Sequence, residues 1–222
     1  MCHLSHISLE EEKTLATISE PHQGAPTTSS SVSTAGSWTP SNPAPLGLAG
    51  FGITTLVLSL INANIVGAGA TYVVLPLAFA FGGLAQLLAG MWEFRTGNTF
   101  GAVAFTSFGA FWISFFFLLQ FDVSKITTAE AGSAVGLYLW AWGIFTGCLF
   151  LCTFASSRAL QLLFLLLTVT FILLGIGNSG GTSSMVHAGG FFGIATAAVA
   201  LYIFTADVMK ATYGRSVLPL GE

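Results

Sequence analysis

Residues Asn42–Glu93 read NPAPLGLAGFGITTLVLSLINANIVGAGATYVVLPLAFAFGGLAQLLAGMWE, and this stretch decides the fold. It contains no Asp, Glu, Lys or Arg before its last residue, Glu93, and the chain ahead of it has none back to Glu20. A bilayer core about 30 Å thick takes about 20 apolar residues per helix. The stretch therefore holds two membrane-crossing helices, with a break at Gly67-Ala68-Gly69.

The rest of the chain has the same character. Only 7% of its 222 residues are Asp, Glu, Lys or Arg, and its mean hydropathy is +0.81. Soluble domains carry roughly a quarter charged residues, so the solvent for most of this chain is lipid. Six apolar segments are legible: about 46–67, 71–91, 99–121, 134–154, 160–177 and 186–206. Backbone groups in lipid must be satisfied within the segment, which makes each segment a helix. The fold class is an all-α integral membrane protein, a bundle of six transmembrane helices.

Residues 1–41 contain Glu10-Glu11-Glu12-Lys13 and then a Ser/Thr/Pro/Gly run. That composition cannot bury a core and reads as a disordered tail. Three regions follow: the tail at 1–41, a six-helix domain at 42–210, and a short C-terminal tail at 211–222. An even number of spans leaves both termini on one side. Arg95, Arg158, Lys210 and Arg215 share that side, whereas the other side has only Lys125. The positive-inside rule makes the four-residue side cytoplasmic.

Several classes are excluded. No basic patch exists for nucleic acid. Cys148 and Cys152 sit four apart in an apolar run and read as packing residues, not as metal ligands or a disulfide. Three of the four histidines lie in the tail, and no nucleophile–base motif stands out, so the chain does not read as an enzyme. No metal or cofactor is called for.

Polar residues within membrane helices usually face a bundle interior or a water path. Asn62, Gln86, Glu93, Asn98, Thr168 and His187 are among them. Each serves equally as interhelical glue. Glu93 and His187 are the ionisable groups placed to handle a proton. The entry to the first span is more specific. Asn42 is a strong helix cap, Pro43 suits the first helical position, and Pro45 falls in the first turn. The free N–H groups left there favour an anion nearby, or simply end a membrane helix at its interface.

These residues also resemble a known family. Asn42–Leu48 (NPAPLGL) is similar to the signature of the acetate uptake transporter family. So are residues 81–112, which include GNTFG at 97–101, then WGIFT at 142–146, RALQ at 158–161, His187 and GRSVLP at 214–219. The resemblance covers about residues 42–222, and the long polar N-terminal tail looks like that of fungal-type members. It implies protomers assembled as a homo-hexamer, each with its own pore in the lipid bilayer. It implies passage of acetate, succinate and related small carboxylates, channel-like or coupled to protons, most naturally at the plasma membrane. It places a narrow hydrophobic constriction at Phe51, Phe108 and Leu167. Asn98, Thr99 and Thr168, with the Asn42-Pro43-Pro45 motif, are the expected substrate- or anion-binding positions. Phe108 departs from the tyrosine usual in the family, which removes a hydroxyl from the constriction. An ammonia or ammonium export channel and an acetate-responsive sensor remain as alternatives.

Overall fold

The computed structural model describes residues 38–221; the tail read at 1–41 lies almost wholly outside them. The described chain from Thr39 forms one compact unit. Its helices are α1 (Ala44–Asn62), α2 (Thr71–Phe79), α3 (Gln86–Thr96), α4 (Thr99–Phe117), α5 (Thr128–Cys152), α6 (Arg158–Asn178) and α7 (Ser183–Tyr213). There is no strand among the described residues. A π-helical turn, Ala80–Ala85, joins α2 to α3, so the two form one membrane-crossing element. Six elements are then long and apolar enough to cross a membrane, as the composition requires.

Helix ends depart from the sequence reading where polar residues continue a helix beyond the hydrocarbon. α5 begins at Thr128, not near 134, and α7 runs to Tyr213, not to 206. The first three residues of the expected C-terminal tail are therefore helical. α1 stops earlier than expected, at Asn62, because the chain turns at Asn64 with φ 59°.

α1 packs chiefly on α7, α7 on α6, α6 on α5, and α3 on α4. Small residues set the closest approaches. Gly190 lies against the backbone of Ala63, and Gly193 against Ser59, which brings α7 hard onto α1. A Cβ on Gly50 would stand 2.5 Å from the Phe81 carbonyl oxygen. The gap between α4 and α5 is filled instead by rings. Phe111 stacks on Tyr138 with centroids 5.7 Å apart and meets Trp142 edge-on at 5.1 Å. The Tyr138 hydroxyl donates to the Phe111 carbonyl at 3.0 Å.

Pro76 lies inside α2, where it cannot donate to the helical ladder. The π-helical turn follows four residues later. π turns insert an extra residue and rotate everything after them. Gly82 and Gly83 seat this turn against Thr54 of α1 and Ile113 of α4. The rotation fixes which face α3 turns inward.

Candidate functional site

Two cavities, about 190 and 200 Å³, enter the bundle from opposite ends. The first lies among Ala44, Asn98, Ser157 and Asp207, at the end that carries Arg95, Arg158 and Lys210. The second lies among Asn62, Thr71 and Asn178, at the end that carries Lys125. Phe51 and Leu167 line both cavities. Phe108 lines the first, with its ring 5.7 Å from that of Phe51. All three side chains are buried, and Phe145 and Phe164 back Phe108 at 5.8 and 6.3 Å. Apolar side chains shared by the two linings thus separate the two spaces.

The entry to α1 differs by one residue from its sequence reading. Pro43 itself is the cap, because its carbonyl accepts from the N–H groups of Leu46 and Gly47. Asn42 stands one place earlier and accepts from the Ala44 N–H at 3.0 Å. Pro45 occupies the second helical position. Ala44 and Leu48 from this turn line the first cavity.

The corner between α3 and α4 forms a second rigid element. Gly97, at φ 80°, closes α3 in a left-handed conformation that suits glycine. Asn98 caps α4, its Oδ1 accepting from the Gly101 N–H at 3.0 Å. The Asn98 Nδ2 donates to Glu93 Oε2 at 3.0 Å, and the Thr96 hydroxyl donates to the same oxygen at 3.0 Å. Glu93 is 1% exposed, and its Oε1 has no partner. It lines neither cavity, but Asn98 and Gly101 beside it line the first. Asp207 of α7 lines the same cavity.

Thr99, Thr168 and His187 line neither cavity. Thr99 is exposed. The Thr168 hydroxyl donates to the Phe164 carbonyl at 2.7 Å, and its methyl faces Gly147 of α5. Thr170, two residues on, is the α6 threonine that lines the second cavity. His187 sits 20 residues before Asp207 on α7, about 30 Å along the axis. Glu93 and His187 therefore belong to opposite ends of the bundle.

Sequence reasoning left out Asp207, Thr55 and Trp112, and did not promote Gln86 to the site. Gln86 lines the first cavity, is 1% exposed, and its Oε1 accepts no hydrogen bond. Thr55 and Trp112 line the second cavity, and the Thr55 hydroxyl and Trp112 Nε1 are likewise buried without partners. A buried polar group left unpaired costs about 1–3 kcal/mol; Thr54 Oγ1, Glu93 Oε1 and Thr106 Oγ1 are also buried without partners but line neither cavity, whereas Gln86, Thr55 and Trp112 lie along the route. The signal for Gln86 was its polarity in an otherwise apolar span.

The first cavity is lined in part by the C-terminal segment, which the sequence reading placed in a short tail. The carbonyls of Gly221 and Leu220 accept from the N–H groups of Arg158 and Ala159 at 3.1 and 3.0 Å. The Tyr202 hydroxyl donates to the Pro219 carbonyl at 2.8 Å, and Leu220 lines the cavity. Among the described residues no His, Cys, Asp and Glu side chains group to hold a metal.

Residues 26–220 match the family described as GPR1/FUN34/yaaH. The chain belongs to that family. Among GPR1/FUN34/yaaH relatives, it is 41% identical over 181 residues to the succinate-acetate/proton symporter SatP of Escherichia coli, covering 82% of this chain and 95% of that protein. It is 42% identical over 196 residues to acetate permease A of Emericella nidulans, covering 82% of this chain and 66% of that protein. It is 45% identical over 166 residues to ammonia transport outward protein 2 of Saccharomyces cerevisiae, covering 72% and 59%. A solved structure described as that of the bacterial acetate channel SatP superposes with a TM-score of 0.77 at 41% identity. It covers 82% of this chain and 99% of its own.

Proposed function

We propose that this chain carries acetate and related small carboxylates, succinate among them, across a membrane along the route formed by the two cavities. The observation that carries this reading is that two spaces entered from opposite ends meet at the same two side chains, Phe51 and Leu167. A route of this kind serves a small solute that tolerates an apolar constriction. The names of the E. coli and E. nidulans relatives supply the substrate class. Phe51, Phe108 and Leu167 form the gate; the Asn42-Pro43 entry and Asn98 frame the mouth of the first cavity.

The loop charges favour a cytoplasmic first cavity, with both termini on that side, in the plasma membrane. The chain acts as a transporter, not an enzyme. It assembles as a homo-hexamer in which each protomer keeps its own path, with residues 1–41 as a polar cytoplasmic tail. Uptake of labelled acetate into vesicles containing the purified chain tests the function directly. Uptake above protein-free vesicles supports it, and its absence refutes it. A second reading, ammonia export, is favoured by the yeast relative. Labelled ammonium or methylammonium flux in the same vesicles, without acetate uptake, would establish it instead.

A further inference from the structure

We propose that Gln86 is the side chain that selects the substrate, and that it selects the undissociated carboxylic acid. The amide carbonyl accepts the acid O–H, and the amide N–H donates to the acid carbonyl. This deepens the carboxylate reading and rests on it.

The position comes first. Gln86 opens α3 directly after the π-helical turn and lines the first cavity together with Phe51 and Phe108. A Cβ on Gly50, the neighbour of Phe51, would lie 3.6 Å from the Gln86 Cβ. The amide is therefore anchored at the level of the constriction, not at the mouth. The close seating of Gly82 and Gly83 on α1 and α4 fixes the backbone that carries it.

Its chemistry comes second. The side chain is 1% exposed, yet Oε1 has no donor. A guest that satisfies this atom must bring a donor. A carboxylate brings none, because an ionised carboxyl only accepts. An undissociated carboxylic acid brings one donor and one acceptor side by side, as does a primary amide. The two groups pair through two hydrogen bonds in a ring.

The surrounding charge points the same way. Among the described residues no Lys or Arg lines either cavity. An anion would enter a low-dielectric constriction with no lysine or arginine lining it, at a heavy desolvation cost. The neutral acid avoids that cost. Carrying the acid intact also moves one proton with each carboxyl group and needs no separate relay through the protein.

The test uses full-length protein in vesicles at pH 6, with labelled acetate uptake as the readout. Two competitors of similar size distinguish the forms. Acetamide is always neutral and offers a donor beside an acceptor; nitrate is planar and always anionic. The proposal expects acetamide to inhibit wild-type uptake and nitrate to have little effect. It expects Gln86→Met to weaken acetamide inhibition by roughly ten- to a hundredfold, the loss that goes with two ordinary hydrogen bonds. Gln86→Glu, of nearly the same shape, should lose acetamide inhibition as the introduced carboxyl ionises and regain it at more acidic pH. Inhibition by nitrate equal to or stronger than that by acetamide overturns the proposal, and the wild-type comparison needs no variant. Acetamide inhibition unchanged in Gln86→Met at equal protein level also overturns it. Absence of acetate uptake by wild type would instead refute the functional reading on which the proposal rests.

Discussion

Phe51 of α1 and Leu167 of α6 each line both cavities, so the boundary between the two spaces is made from side chains, not backbone. Shortening either should therefore join the spaces without breaking a helix. Phe51→Ala and Leu167→Ala are expected to raise butyrate uptake relative to acetate severalfold. Core truncations of this size cost about 2–5 kcal/mol, with the lower end expected here because cavities already adjoin both side chains. Uptake ratios at matched protein level decide the matter, and an unchanged ratio removes these residues from the gate.

How much of this was legible in the residues differs by feature. Span number followed from charge-free windows, because lipid penalises charge along a whole helix. Span ends did not, because Thr128 to Ser133 and Asp207 to Tyr213 continue helices with polar residues that hydropathy treats as loop. Asp207 was lost for that reason: it fell one residue past the expected end of the last span. The inward face of α6 was also unreadable. Its sequence, RALQLLFLLLTVTFILLGIGN, is apolar all round, so nothing in it separates Thr168, turned to α5, from Thr170, at the cavity. Only family resemblance pointed to Phe51, Phe108 and Leu167, since Phe is spread through the spans. The π-helical turn that orients Gln86 left only Pro76 and Gly82-Gly83 as traces.

The seam between α1 and α7 should tolerate no side chain at Gly190. A Cβ there would collide with the backbone of Ala63, which cannot swing aside as a side-chain tip can. Gly190→Val is expected to destabilise by about 1–3 kcal/mol or more, the usual cost of overpacking. Gly67→Val is a fitting control, since among the described residues nothing lies within 4 Å of a Cβ there. Thermal unfolding in detergent should separate the two variants clearly. Equal melting temperatures would mean that α1 and α7 do not approach as closely as described.

Asn98 holds two partners at once, the Gly101 N–H and Glu93 Oε2. Asn98→Asp keeps the cap acceptor but replaces the donor to Glu93 with a second carboxylate oxygen. A loss of about 1–3 kcal/mol is expected from the broken contact. Adding Glu93→Gln restores a donor to the pair, so the double variant should recover much of the stability. Contacting residues couple in this way, whereas independent ones add. Melting temperatures of the two single variants and the double variant form the cycle. Simple additivity would show that the Asn98–Glu93 bond does not hold the corner.

The C-terminal segment should control access to the first cavity. Its Leu220 and Gly221 carbonyls cap the first N–H groups of α6, and the Leu220 side chain lines the cavity itself. Removing residues 217–222 takes away both the wall and the cap. The stability loss should be small, about 0.5–2 kcal/mol, as for other lost helix caps, because water replaces the carbonyls at this exposed end. The effect on access should be larger. Leu160, which lines the same cavity from the first turn of α6, can report it. In a background with Cys2, Cys148 and Cys152 changed to serine, Leu160→Cys should react slowly with a membrane-impermeant maleimide in the full-length chain. Truncation should speed that reaction severalfold. Equal labelling rates would show that the segment rests at the cavity without closing it.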